Sequence, residues 1–174
     1  MTAISIRDVR PADVSQITRI YAEAVLHGTA TFEIEPPDET EMARRLGGLL
    51  ARNFPYFVAE QSGNVVGYAY AAPYRDRRAY DWCLEDSIYV APELHRMGIG
   101  RLLLSRLITE AEAREFRQMI AVIGDSANTA SIAVHAAVGF RLIGTFKSIG
   151  FKHGRWLDTV LMQLPLGSSD TTPP

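Results

Sequence analysis

The sequence holds a single cysteine, Cys83, in 174 residues, which excludes an internal disulfide framework and any thiolate zinc cage. One partner-free thiol suits a reducing compartment, and a cytoplasmic location is expected. A dominant charge is also missing. The 18 Lys and Arg against 20 Asp and Glu leave a net charge of −2, so neither nucleic acid nor a membrane is expected as a partner, and any anion site must be local. No apolar run approaches bilayer length, and the opening MTAISIRDVR has neither a basic leader nor an apolar signal core, so export is not expected. The four histidines are scattered without paired spacing, and no metal site is expected. What remains is a chain with 47% hydrophobic and 22% charged residues, which matches globular averages. A single domain over residues 1–165 is expected. The closing PLGSSDTTPP, rich in Ser, Thr and Pro, predicts a disordered tail over 166–174.

Hydrophobic spacing predicts the elements. Ile4 and Ile6 alternate as in a strand, and Pro11, Asp13 and Gln16 signal a helix start. Val14, Ile17, Ile20, Tyr21, Ala24 and Val25 recur at helical spacing up to His27-Gly28, before a polar and aromatic loop from Thr29 to Glu35. A second helix opens at Asp38, with Glu41 three residues on and Met42, Leu46, Leu49 and Leu50 along one side. Two strands, Tyr56–Glu60 and Val65–Ala72, flank the turn residues 61–64 as an antiparallel hairpin. Another strand covers Trp82–Val90, and a long amphipathic helix runs from about Gly98 to Glu115. Met119–Ile123 reads as a strand buried on both faces. A last helix, about Asn128 to Val138, stops at Gly139, suited to the left-handed position after a helix. Strands Phe140–Phe146 and Trp156–Gln163 close the chain around a turn at Gly150–Gly154. This order predicts a mixed α/β structure with helices on both faces of one sheet.

Two stretches carry chemistry. In His95-Arg96-Met97-Gly98-Ile99-Gly100-Arg101, a glycine-bearing turn leads from a strand into a helix. Its bare backbone N–H groups and the helix's positive end suit an anion, and Arg96 and Arg101 add charge for a diphosphate. The Gly-Lys-Ser/Thr ending of a nucleoside-triphosphate loop is missing, as is the third glycine of a dinucleotide fingerprint. The other reading is a turn that uses glycine for geometry, with solvated arginines. In the strand before it, alternation places Cys83, Glu85, Ser87 and Tyr89 on one face and Asp86 on the other. A half-buried Glu85 has a raised pKa; its alternative is an edge charge paired with an arginine. Asp86 is assigned a structural role.

Arg96-x-x-Gly98-x-Gly100 after Ser87-Ile88-Tyr89-Val90, then Asn128-x-x-Ser131 and Gly139-Phe140, resembles the GNAT superfamily of acetyl-CoA-dependent N-acetyltransferases. A closer resemblance, to the phosphinothricin and methionine sulfoximine N-acetyltransferases, rests on Thr29-Ala-Thr-Phe32, Ala71-Ala-Pro-Tyr74, Tyr80-Asp-Trp82, Glu85-Asp-Ser-Ile-Tyr-Val90, Ala121-Val-Ile-Gly124 and Gly150-Phe-Lys-His-Gly154. The resemblance implies a mostly antiparallel central sheet with helices on both faces, acetyl-CoA as donor, and a homodimer. It implies that Ile88, Tyr89 and Val90 meet the pantetheine arm, that Arg96, Met97, Gly98, Ile99, Gly100 and Arg101 hold the pyrophosphate, and that Asn128 and Ser131 contact the cofactor arm. Asn128 also reads as a plain helix cap.

An α-ammonium with a pKa near 8 must lose a proton before it attacks a thioester, and the resemblance makes Glu85 that general base. It makes His135 the general acid, where many GNAT enzymes carry a tyrosine; a satisfied helix histidine is the alternative. Backbone N–H groups near Val90 would stabilise the oxyanion. Cys83 reads as a packed thiol, and direct attack by the amine is expected. For the acceptor the resemblance implies Thr29, Phe32, Tyr74, Arg75, Arg77 and Trp82, with Arg75 and Arg77 clamping an α-carboxylate. A solvated basic loop and core aromatics are the plain alternatives. The acceptor expected is a small amino-acid analogue. Competing readings are a protein N-terminal acetyltransferase and an acyl-CoA sensor without chemistry.

Overall fold

The computed structural model describes residues 3–173. Seven strands form one sheet: β1 (Ser5–Asp8), β2 (Tyr56–Gln61), β3 (Asn64–Pro73), β4 (Cys83–Val90), β5 (Gln118–Gly124), β6 (Arg141–Lys152) and β7 (Arg155–Pro165). Their spatial order is β1-β2-β3-β4-β5-β7-β6. Every neighbouring pair is antiparallel except β4 and β5, which run parallel. That parallel pair needs a crossover, and α3 (Ile99–Ala113) supplies it.

Helices α1 (Val14–His27) and α2 (Glu39–Ala51) cover one face, burying Ile17, Ile20, Tyr21, Val25, Met42 and Leu46 against Tyr56, Val58 and Tyr68. Helix α3 and α4 (Thr129–Ala137) cover the other, where Leu103, Leu104, Leu107 and Ala111 meet Phe57, Ala69, Leu84, Met119 and Ala121. The expected caps form: Asp38 accepts from Glu41 N at 2.8 Å, and Gly139 ends α4 at φ 103°. Asp13, at the end of a short 3₁₀ turn, accepts from Arg10 N at 2.7 Å and pairs with Arg7 at 2.8 Å. Among the described residues no helix is long and apolar enough to cross a membrane.

Several boundaries differ from expectation. The first hairpin turns on Ser62 and Gly63 alone, both left-handed, at φ 52° and 79°. The second turns at His153-Gly154, so β6 runs on to Lys152; a register shift between Phe146 and Gly150 absorbs the extra residues. Strand β5 is not buried on both faces. Met119, Ala121 and Ile123 enter the core beneath α3, whereas Val122 is 38% exposed, because α1 and α2 lie over β2 to β4 and stop short of β5. The stretch expected as a disordered tail begins with a core residue. Leu166 is fully buried, its N–H bonds Arg117 O at 2.9 Å, and Ser169 Oγ accepts from Gln118 Nε2 at 2.7 Å. One apolar anchor in a polar stretch leaves no periodic pattern to read; Pro174 lies outside the described residues.

Candidate active site

Strand β4 is paired with β3 along its whole length, from Gly67↔Val90 to Pro73↔Leu84, but with β5 only from Cys83 to Asp86. Beyond Asp86 the two parallel strands part. Ala91 N donates to Val66 O on the β3 side at 2.9 Å. Backbone groups alternate between the two edges of a strand, so those of Ile88 and Val90 face the gap where β5 has left. An unpaired strand edge of this kind accepts an extended chain bearing amides. The Val90 carbonyl accepts a bond from His95 Nε2 at 3.0 Å.

At the end of that edge α3 begins. Gly98, its N-cap, sits at φ +80° with nothing within 4 Å of a hypothetical Cβ. Left-handed backbone explains this glycine. A Cβ on Gly100 would make only ordinary contacts with Val134 and Val90, the nearest at 3.9 Å, so its bareness leaves room for a ligand rather than relieving a clash. Leu102 N closes the first helical bond onto Gly98 O at 3.1 Å, and the N–H groups of residues 99–101 have no partner within the helix. They open on a groove of about 770 Å³ lined by Ile88, Tyr89, Val90, Arg96, Gly98, Ile99, Gly100, Arg101, Asn128 and Ser131. These are the expected cofactor residues except Met97, which is exposed and outside the lining because the turn directs it away. Asn128 accepts from Ser131 N at 3.2 Å, the helix cap anticipated of it, and lines the groove. The donor set fits a diphosphate on an amide-bearing arm.

The groove meets a chamber of about 320 Å³ that holds Glu85, Asp86, Phe32, Tyr70 and Ser87. Ile88, Tyr89, Asn128, Ser131 and His135 line both spaces. Burial, reinforced by the neighbouring Asp86 and opposed by Arg75, raises the Glu85 pKa to about 6. Burial and the Glu85 charge push the Cys83 thiol up to about 11, so it stays protonated at neutral pH and is no nucleophile. His135 is buried, with Nδ1 2.7 Å from the Ser131 carbonyl and Nε2 2.9 Å from Asp86 Oδ2. In this arrangement both ring nitrogens are engaged.

Of the expected acceptor residues, Phe32 lines the chamber. It lies over Gly150, where a Cβ would come within 2.3 Å of its ring. Lys152 Nζ, buried, donates to Thr31 O at 2.8 Å, and His153 Nε2 to Gly28 O at 3.1 Å. The β6–β7 hairpin therefore pins the loop that carries Phe32. Thr29 lines the groove rather than the chamber. Tyr74, Arg75, Arg77 and Trp82 line neither space; they stand on the 74–82 connection, where the Arg75 guanidinium covers the Tyr74 ring at 5.1 Å and Trp82 is exposed. A loop bulging from the sheet between β3 and β4 turns them outward. Sequence reasoning gave Tyr70, Ser87 and Lys152 no role in the site and Asp86 a structural one. Tyr70 and Ser87 carry a signal, because they are cross-strand partners on the face that alternation assigns to Glu85. Lys152 carries none.

A cleft beside a parted parallel pair, a phosphate-sized helix N-terminus and a carboxylate of raised pKa fit an enzyme that binds a diphosphate on an amide-bearing arm and has a base at the arm's end. A family model described as an acetyltransferase (GNAT) domain matches residues 6–161, and the chain belongs to that family. It is 54% identical to a phosphinothricin N-acetyltransferase of Alcaligenes faecalis, over 99% of this chain and 87% of that one. An L-methionine sulfoximine/L-methionine sulfone acetyltransferase of Salmonella typhimurium is 39% identical over 94% of this chain and 95% of its own length. The crystal structure of a GNAT superfamily phosphinothricin acetyltransferase from Sinorhizobium meliloti, in complex with AcCoA, superposes with a TM-score of 0.96 at 51% identity, covering 100% of this chain and 94% of that one.

Proposed function

We propose that this chain transfers the acetyl group of acetyl-CoA to the α-amine of a small amino-acid analogue of the phosphinothricin, methionine sulfoximine or methionine sulfone type. The observation that carries this reading is the junction of groove and chamber, which brings the end of the cofactor arm beside Glu85. The relatives' named substrates support the acceptor class. Acetyl-CoA, when bound, supplies an acyl carbon activated as a thioester. Arg96, Arg101 and the first N–H groups of α3 hold its diphosphate, and the open edge at Ile88 and Val90 holds the pantetheine amides. Glu85, with a pKa near 6, is mostly ionised at neutral pH and takes the proton of the acceptor's ammonium. The neutral amine then attacks the acyl carbon directly, β4 N–H groups facing the gap receive the negative charge on the acyl oxygen, and collapse of the adduct breaks the C–S bond, the surplus proton on nitrogen passing through solvent to the departing CoA thiolate. Phe32 packs against the acceptor side chain. From the 74–82 connection Arg75, close enough to oppose the rise in the Glu85 pKa, takes its carboxylate, with Arg77, Tyr74 and Trp82 beside it on the same connection.

A peptide N-terminus fits less well, because the loop carrying Phe32 is tied down across the chamber by Lys152 and His153. Release of CoA, followed against a panel of free amino-acid analogues and short peptides, tests the reading; turnover of peptides alone would refute it. Arg75→Ala is expected to raise the acceptor KM about tenfold, as loss of a charge-assisted contact does, with the acetyl-CoA KM unchanged. A change confined to the donor KM would remove Arg75 from the acceptor site.

We further propose a homodimer through β6. This edge strand exposes Leu142, Ile143, Phe146, Ile149 and Phe151, with Trp156 of β7 beside them, and an apolar edge left in water invites pairing. Phe146→Asp is expected to convert the dimer to a monomer in sedimentation equilibrium. A wild-type chain that sediments as a monomer at micromolar concentration would refute it.

A further inference from the structure

Asp86 and His135, 49 positions apart, meet inside the protein with exposures of 7% and 4%. The Ser131 carbonyl can only accept, so Nδ1, 2.7 Å away, carries a proton. Nε2 faces a carboxylate oxygen at 2.9 Å, so the ring bridges β4 and the first turn of α4 in an arrangement that favours the imidazolium. Burial opposes that charge, but the hydrogen bond and charge of Asp86, helped by Ser131 O, outweigh it and raise the His135 pKa. The Phe140 ring closes the far side edge-on, 5.0 Å between centroids.

The location matters as much as the contact. Asp86↔Ala121 is the last rung that pairs β4 with β5, so the ion pair sits at the vertex from which the two strands diverge. On its other side the chain of bonds continues through Ser131, whose N–H binds Asn128 Oδ1, and both of those residues line the cofactor groove. Asp86 Oδ1 is buried without a partner among the described residues, a condition that a bound donor or water relieves.

We propose that Asp86 is a positioning residue which, acting through His135, sets Asn128 and Ser131 at the cofactor groove and holds the imidazolium away from any role as acid for the departing thiol. The proposal rests on the acetyl-transfer reading above. The titratable groups facing the pair across the chamber are Glu85, Tyr70 and Tyr89; the lining from β5 and β7, Ala121, Val122, Ile123 and Thr159, adds none, nor does the rest of α4.

The test compares wild type, Asp86→Asn, His135→Gln and the double variant by calorimetry of CoA binding, steady-state kinetics, and nitrogen NMR of labelled histidine. In wild type the doubly protonated His135 ring is expected to persist to higher pH than in Asp86→Asn, because the hydrogen bond and charge of Asp86 raise its pKa. Each single variant is expected to weaken CoA binding and raise the acetyl-CoA KM about tenfold, the scale of a small misplacement at a site. The double variant should be no worse than either, as for residues acting as one unit. The acid limb of activity set by Glu85 should persist in all, shifted to lower pH where Asp86 has lost its charge. Unchanged CoA affinity in Asp86→Asn would overturn the proposal, as would a fall in kcat alone with loss of the alkaline limb in His135→Gln. Should a variant fail to fold, the wild-type spectrum still decides, because a His135 ring that titrates no higher than an ordinary histidine is incompatible with the bridge. CoA binding and NMR need no acceptor, so a wrong acceptor assignment leaves both measurements unaffected.

Discussion

Glu85→Gln is expected to lower kcat about 10²- to 10⁴-fold, the range for loss of a general base, while CoA binding stays within twofold. Glutamine keeps the size of the side chain and its place on β4 but cannot take a proton. The pH profile supplies the sharper test. Burial and Asp86 raise the Glu85 pKa to about 6, so wild-type kcat/KM should fall as pH drops through that value, where the carboxylate becomes protonated and ceases to be a base. In the variant this limb disappears, and residual activity follows the free amine, rising toward pH 8. A Glu85→Gln enzyme that keeps the limb near pH 6 and most of its turnover would exclude Glu85 as the base.

Gly124→Ala should be nearly as damaging, although residue 124 has no side chain to contribute. A Cβ there would stand 2.3 Å from Thr29 O and 3.1 Å from the Phe32 ring. The obstacle is backbone, which cannot rotate aside, so the whole 29–32 loop must lift. That movement withdraws Phe32 from the chamber and strips the buried Lys152 amine of its bond to Thr31 O. The expected result is a loss of about 2–3 kcal/mol in stability, as for overpacking joined to an orphaned buried group. The acceptor kcat/KM should fall about 10²-fold, as expected for displacement at a site. Gly47→Ala on α2 is the control: a Cβ there meets nothing within 4 Å, and the helix gains about 0.5–1 kcal/mol. Equal acceptor kinetics in Gly124→Ala and wild type would show that the loop does not shape the acceptor site.

The two variants mark the two kinds of information in the chain. Glu85 is readable because its neighbours on β4 alternate regularly and because a carboxylate inside an apolar strand is unusual. The turn at 95–101 is readable because its geometry is a property of contiguous backbone: a left-handed Gly98 followed by the free N–H groups of a helix. Gly124 carries no such mark. Its requirement comes from a loop nearly a hundred positions earlier that crosses it. The same holds for Asp86, which looks like an ordinary strand residue until α4 brings His135 against it. The outward placement of Arg75, Arg77 and Trp82 was hidden for a related reason, since a loop of 74–82 has no periodicity from which direction can be read.

By itself the sequence determined the order of strands and helices, the glycine turn that opens α3 and the face on which Glu85 stands, because each depends on residues within one or two turns of the chain. The tertiary structure alone decided where β4 leaves β5, that Leu166 belongs to the core, that β6 exposes its apolar side chains, and that His135 spends both nitrogens on Asp86 and Ser131. Those outcomes depend on contacts between distant segments, and the free energy of such contacts is set by what the fold brings within a few ångströms.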